Sequence, residues 1–204
     1  MQMLEKMLAD MSNWVWGPPM LILLCGTHIF LTFRLRFIQR YMGQAIKISF
    51  ERKKEGEGDV SQFGALTTAL AATIGTGNIV GVATAIASGG PGAILWLWLT
   101  GVFGIASKYA ESLLSVKYRV TAKTGLMAGG PMYVLERGMH CKWLAVVFAA
   151  LTAVAAFGIG NMVQANSLTQ LVKETTGIPL WVTGIVLTFF TAIVILGGIK
   201  SIAR

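Results

Sequence analysis

The chain of 204 residues is apolar and basic: 54% of its residues are hydrophobic, 13% are charged, and the mean hydropathy is +0.66. This composition is typical of membrane proteins and excludes an ordinary soluble domain. The net charge of +8 could suit a nucleic-acid-binding protein, but the basic residues lie between apolar runs instead of forming one basic face. We therefore expect no nucleic-acid partner, and the two cysteines have no ligand spacing that would indicate a metal site.

The first third of the chain predicts a lead-in, one span and a loop. Residues 1–17 form a short extracytoplasmic lead-in with two tryptophans suited to the headgroup level. Two prolines suited to the first helical turn then open an extra N-terminal transmembrane helix at residues 18–37. Because the N-terminus lacks the basic region and cleavage site of a signal peptide, we expect this helix to remain in the protein. Residues 38–62 mix basic and acidic side chains, which predicts a solvated cytoplasmic loop containing one surface helix.

Residues 63–87 contain no charged side chain and are long enough to cross the roughly 30 Å hydrocarbon core of a bilayer. Gly75-Thr76-Gly77-Asn78 interrupts them. Each glycine costs roughly 0.8–1 kcal/mol relative to alanine in a helix, and asparagine competes for backbone hydrogen bonds. We therefore predict a helix broken in its middle. Such breaks bind an anionic group and a cation in secondary transporters, whereas close helix packing through Gly77-x-x-x-Gly81 is the alternative interpretation.

The rest of the chain predicts three more spans. A turn at Gly89-Gly90-Pro91-Gly92 precedes a transmembrane helix at residues 91–115. A second basic cytoplasmic loop at residues 117–142 connects it to the next transmembrane helix. The last two predicted transmembrane helices comprise residues 143–172 and 178–199. Residues 200–204 form the predicted cytoplasmic end.

Polar residues share one face of the helix at 143–172. Phe157, Gly160, Asn161 and Gln164 follow i, i+3, i+4 and i+7 spacing. Two amide side chains inside a membrane need hydrogen-bond partners. The pattern is compatible with hydrogen bonds to another helix and equally with contact to a substrate.

The basic residues predict the orientation. Fifteen of the 17 Lys and Arg residues lie at residues 34–54, at residues 108–142 or at the C-terminal end, against Lys6 and Lys173 on the other side. By the positive-inside rule, the N-terminus is outside, five spans follow, and the end at residue 204 is cytoplasmic. The spans offer hydroxyl, amide and backbone oxygens but hardly any acid, so sodium coupling is favoured over proton coupling.

Several motifs together resemble one family. TTALAATIGTGNIVGVATAIASGGPGAILWLW is followed by KYAES, GGPMYVLERG and GIGNMVQANS. These motifs closely resemble the alanine or glycine:cation symporter family of prokaryotic sodium-coupled amino-acid transporters, over about residues 14–204. The resemblance implies an inner-membrane protein with a leucine-transporter-type fold, in which two inverted five-helix repeats each begin with an unwound helix.

The resemblance also implies site residues, and no cofactor other than the coupling ion Na⁺. The amides of Thr76 and Gly77 would hold the substrate carboxylate, and the helix with GIGNMVQANS would contribute Gly160, Asn161 and Gln164 to the pocket. Asn78 and the Thr73 carbonyl would form one sodium site. The carbonyls of Ala71 and Ile74 would form part of a second.

The implied function is Na⁺-coupled symport of a small neutral amino acid, alanine or glycine, by alternating access. The chain holds four core helices where the fold requires ten, so we expect it to be an N-terminal fragment of the transporter. A passive channel and a structural membrane subunit are the alternatives. An enzyme is the least favoured class because no nucleophile, base and orienting acid converge in the spans.

Overall fold

A computed structural model of the chain describes residues 2–51, 60–122 and 125–198. Residues 52–59 of the predicted first loop and the predicted cytoplasmic end at 200–204 lie outside the described residues. The described part is mainly helical and includes one two-stranded antiparallel ladder. This agrees with the expected class of an α-helical integral membrane protein.

The chain begins with two helices in near continuity, α1 (Gln2–Trp16) and α2 (Pro18–Arg34), which together are long and apolar enough to cross a membrane. Helix α2 ends three residues before the predicted end of the span. The reason is that Arg36 and Phe37 adopt left-handed backbone conformations, with φ of 53° and 58°, which reverse the chain. A 3-10 turn and helix α3 follow, at Ile38–Tyr41 and Met42–Ser49.

The predicted interruption of the second span is present. Helix α4 (Gln62–Thr73) begins at Ser61, whose Oγ accepts a hydrogen bond of 3.1 Å from the Gly64 amide. The chain then breaks and continues as a π-helical segment (Gly77–Gly81) that leads into helix α5 (Val82–Gly89). The two halves are bent by 62° with respect to each other.

The remaining elements alternate long helices with short connections. Gly90, with φ of 68°, turns the chain into the next helix, and Gly177, with φ of 75°, ends another. In chain order, these elements are helix α6 (Gly92–Lys117), strands β1 (Val120–Thr121) and β2 (Met127–Ala128), helix α7 (Pro131–Tyr133), a π-helical segment (Val134–Gly138), helix α8 (Lys142–Ala155), a π-helical segment (Ala156–Met162), helix α9 (Val163–Thr176) and helix α10 (Leu180–Leu196).

Helices α2 and α6 pack against each other, α5 packs against α6, and α9 packs against α10. Few side chains are fully enclosed: among the described residues, Ala106 and Ala145 are the buried apolar ones, and Thr32 and Thr169 the buried polar ones. Most large apolar side chains face outward. A surface of this kind requires lipid or further protein around it.

Three described helices are long and apolar enough to cross a membrane, or four if the bent pair is one span. They are Met3–Arg34, Gly92–Lys117 and Lys142–Thr176, with Gln62–Thr73 and Gly77–Gly89 as the bent pair. Helix α10 is apolar but shorter. The chain is therefore a multi-pass membrane protein, and the count of five spans remains a prediction.

Candidate substrate and ion site

The break in the second span opens because the backbone leaves the helical path at Ile74, whose ψ is 114°. The Ile74 amide donates the last helical hydrogen bond of α4, to the Leu70 carbonyl at 2.9 Å. The Asn78 amide donates to the Gly75 carbonyl at 3.1 Å and so begins the second half. The positive end of this half-helix therefore faces the break, where it favours a negatively charged group.

Asn78 and Thr73 lie together across this break. The Asn78 Nδ2 atom donates a hydrogen bond of 2.8 Å to the Thr73 carbonyl oxygen. A carbonyl oxygen has two lone pairs and the amide retains its Oδ1 atom, so both residues keep an oxygen that can bind a cation. The two predicted ligands of the first sodium site are thus neighbours in space.

Ala71 and Ile74, the predicted ligands of the second sodium site, flank Thr73. Helix α4 ends at Thr73, so the Ala71 carbonyl has no following helical N–H from which to accept a hydrogen bond. Ile74 lies within the break itself. Among the described residues, no group of three or more His, Cys, Asp or Glu side chains could hold a metal ion. The oxygen atoms at the break are of the type that hard monovalent cations bind.

Gln164 of α9 reaches into the break. Its Oε1 atom accepts a hydrogen bond of 3.2 Å from the Thr76 amide. The two residues are separated by 88 positions in the chain, so this contact joins the broken helix to the long helix formed by α8 and α9. Of the residues predicted to bind the substrate, Thr76 and Gln164 are directly linked.

Gly75 makes this contact possible, although the sequence pattern predicted no role for Gly75 beyond breaking the helix. A Cβ atom built on Gly75 would lie 2.6 Å from the Gln164 Nε2 atom and 2.9 Å from Oε1. By contrast, a Cβ atom on Gly77 or Gly160 would meet no atom within 4 Å. The signal in the sequence was the glycine-x-glycine spacing, but its partner 89 residues later could not be inferred from that spacing.

Gly160 and Asn161 lie in the π-helical segment Ala156–Met162, just before Gln164. Both are exposed, and no hydrogen bond within the described part of the chain joins the Asn161 side chain to another residue. A π turn contains one residue more than an α turn, and such turns occur frequently at functional sites. The regular spacing that predicted a common face for Gly160, Asn161 and Gln164 therefore does not apply across this segment.

Comparison with known proteins identifies what this chain is similar to. The model of the sodium:alanine symporter family matches residues 1–204. The chain is 56% identical over 200 residues to the sodium/alanine symporter AgcS of Methanococcus maripaludis. The aligned region is 95% of the chain and 44% of that protein. An uncharacterized transporter of Haemophilus influenzae is 55% identical over 202 residues, or 98% of the chain and 44% of that protein.

A more distant relative carries a different substrate in its name. The probable sodium/glutamine symporter GlnT of Bacillus subtilis is 34% identical over 205 residues, which cover 100% of the chain and 43% of that protein. The chain thus spans less than half the length of each of these relatives. Because the family model matches all of its residues, the chain belongs to the sodium:alanine symporter family, a family of transporters and not of enzymes.

Proposed function

We propose that this chain is the N-terminal part of a sodium-coupled symporter for a small neutral amino acid, alanine or glycine, in the inner membrane of a prokaryote. The observation that carries the proposal is the contact between Thr76 and Gln164 at the break of an apolar helix. The family and the names of its relatives support sodium coupling. Alanine is preferred to glutamine because the alanine-named relative is 56% identical and the glutamine-named one 34%.

In the proposed site, the substrate carboxylate binds the amides of Thr76 and Gly77. The Gln164 Oε1 atom is the same kind of acceptor as a carboxylate oxygen, and it lies 3.2 Å from the Thr76 amide nitrogen. This distance supports the assignment because it indicates that the amide is directed toward an acceptor from α9. Gln164 also carries a donor, Nε2, which can bind the second carboxylate oxygen. Gly160 and Asn161 complete this side of the pocket.

Na⁺ would bind beside the substrate, at Asn78 and the carbonyl of Thr73, with a second ion at the carbonyls of Ala71 and Ile74. Both groups of ligands lie on the residues that end α4 and open the second half-helix. A sodium gradient can drive substrate uptake only if the ion binds some conformations better than others. Ion ligands one to five residues from the substrate amides provide a direct physical route for such coupling.

The proposed architecture is a leucine-transporter-type inverted repeat, of which this chain supplies an extra helix and the first four core helices. Helix α10, with 17 residues, is about 26 Å long and so approaches the roughly 30 Å of the hydrocarbon core. Counting it gives five spans, with the N-terminus outside and the end at residue 204 cytoplasmic. The basic residues of both connecting loops support this orientation.

Counterflow distinguishes this carrier from a passive channel. Proteoliposomes containing the whole transporter are loaded with unlabelled alanine and diluted into a trace of labelled alanine. A carrier accumulates label transiently because unlabelled substrate occupies it on the inside, whereas a channel only equilibrates. We expect transient accumulation that excess external alanine or glycine abolishes. Monotonic equilibration would favour a channel, and uptake equal to that of empty liposomes would favour a structural subunit.

A further inference from the structure

The connection between the first two predicted spans carries a short amphipathic segment. It consists of the 3-10 turn Ile38–Tyr41 and helix α3 (Met42–Ser49). Helix α2 ends the apolar stretch before it, and α4 begins the bent pair after it. The segment therefore lies at one surface of the membrane, where the chain turns back.

Contacts at both ends fix this segment against the spans. Gln39 Nε2 donates hydrogen bonds to the Val102 carbonyl of α6, at 3.0 Å, and to Thr32 Oγ1 of α2, at 3.2 Å. At the other end, the Phe63 amide donates to the Glu51 carbonyl at 3.2 Å. These bonds hold the segment on the transmembrane helices, so its two faces have defined directions.

One face of the segment is basic. Arg40, Gln44 and Lys47 follow i, i+4 and i+7 spacing and are all exposed. Between Arg34 and Phe50 the chain has four basic residues and no acidic one. Within the described residues, none of the four forms an ion pair. No carboxylate of the described residues therefore neutralises their positive charge, which can attract an external anionic group.

The other face is apolar and exposed. Met42, Ile46 and Phe50 follow i, i+4 and i+8 spacing and are 45%, 54% and 64% exposed. Tyr41, whose ring lies 4.7 Å below the Arg40 guanidinium carbon, adds an amphipathic side chain between the two faces. An apolar row beside basic side chains is the pattern of helices that lie in the plane of the membrane interface.

We propose that the segment Ile38–Ser49 lies in the membrane interface and binds anionic lipid headgroups through Arg40 and Lys47, with Arg34 and Arg36 beside them. The charge indicates the occupant: four cations that form no ion pair with the described residues attract lipid phosphates at a membrane surface. The apolar row enters the boundary between headgroups and acyl chains. Specific lipid binding at this position follows from the interfacial contacts and is independent of the substrate that the transporter carries.

Native mass spectrometry of the whole transporter tests this inference. The protein in detergent micelles is titrated with dioleoylphosphatidylglycerol or, in a parallel series, with dioleoylphosphatidylcholine, and the bound lipids are counted. We expect preferential retention of phosphatidylglycerol. The variant R40Q/K47Q should lose about fivefold in its affinity for this lipid per charge removed, or about 25-fold in total.

Two matched variants make the test specific. K6Q/K173Q removes two charges that are predicted to lie on the opposite side of the membrane, and it should bind phosphatidylglycerol like the wild type. R40K/K47R preserves both charges and should also retain binding, and a melting temperature of R40Q/K47Q equal to that of the wild type excludes misfolding as the cause of the loss. The inference is overturned if the wild type binds both lipids equally, if R40Q/K47Q binds like the wild type, or if K6Q/K173Q loses as much affinity.

Discussion

Gly75 and Gln164 are so close that a Cβ atom on Gly75 would lie 2.6 Å from the Gln164 Nε2 atom. The substitution Gly75→Ala therefore forces Gln164 out of its place, and with it the Nε2 donor that is proposed to bind the second carboxylate oxygen of the substrate. Losing that one hydrogen bond of about 1 kcal/mol predicts a rise in the KM for alanine of about fivefold. Labelled alanine uptake by the whole transporter measures this change.

The control is Gly81→Ala, in the half-helix that follows the break, where a Cβ atom would meet nothing within 4 Å. It should leave KM unchanged. The double variant G75A/Q164A should be less impaired than the sum of the single variants, since the steric conflict is then absent. Additive effects of the two substitutions would show that Gly75 does not act through Gln164.

Gln164→Glu should impair alanine binding more than Gln164→Ala. Both remove the Nε2 donor, but the glutamate adds a negative charge next to the proposed carboxylate site, and like charges repel strongly where water is excluded. Competition of alanine against its own labelled form gives the affinities. The control is Gln170→Glu on the same helix, which should bind alanine like the wild type. Within the described residues, the Gln170 Nε2 atom donates a hydrogen bond only to Asn166. Equal affinities of Gln164→Glu and the wild type would place the carboxylate elsewhere.

Two substitutions of Thr76 separate its backbone from its side chain. Thr76→Ala retains the amide that donates to Gln164 and should keep uptake close to that of the wild type. Thr76→Pro removes the amide hydrogen. The φ of −58° at Thr76 is compatible with proline, and proline is tolerated at the start of a helix. We expect the KM of Thr76→Pro for alanine to be at least tenfold higher than that of the wild type, which corresponds to about 1.4 kcal/mol. The opposite order of effects would assign the role to the hydroxyl group.

Asn78→Ala should weaken sodium activation more than it weakens folding. The substitution removes the hydrogen bond of 2.8 Å to the Thr73 carbonyl and the proposed Oδ1 ligand. The sodium concentration for half-maximal uptake should rise about tenfold, while the melting temperature in detergent falls by only a few degrees. Sodium activation identical to that of the wild type would remove Asn78 from the ion site.

Gln39→Ala should destabilise the packing of α2 on α6. Its Nε2 atom bonds Thr32, which is only 1% exposed, and the Val102 carbonyl, so the loss should be about 1–3 kcal/mol. Thermal unfolding in detergent measures the effect, with Gln44→Ala on the exposed face of α3 as the control. A melting temperature equal to that of Gln44→Ala would mean that the Gln39 bonds contribute nothing to stability.

The sequence predicted the features that depend on local chemistry. Two glycines and an asparagine inside an apolar run predicted the break between α4 and α5, and the prediction is confirmed by the 62° bend. The paired prolines opened α2 as expected.

The features that the sequence did not predict depend on contacts between distant residues or on a choice between similar helical geometries. Gln164 could be placed on a polar face, but its contact with Gly75 requires the packing of α9 on the broken helix. The π-helical segment at Ala156–Met162 differs from an α-helix by one residue per turn, and no residue type specifies it alone. Asn161 therefore could not be placed relative to Gln164 by helical periodicity.

Sodium-dependent accumulation tests the central claim most directly. Proteoliposomes containing the whole transporter receive labelled alanine under an inward Na⁺ gradient, and a matched sample receives K⁺ in place of Na⁺. The proposed symport predicts that alanine inside rises above its external concentration with Na⁺ and does not do so with K⁺. Equal, merely equilibrating uptake in the two salts would contradict coupling and, with it, the assignment of the break at Thr73–Asn78 as an ion site.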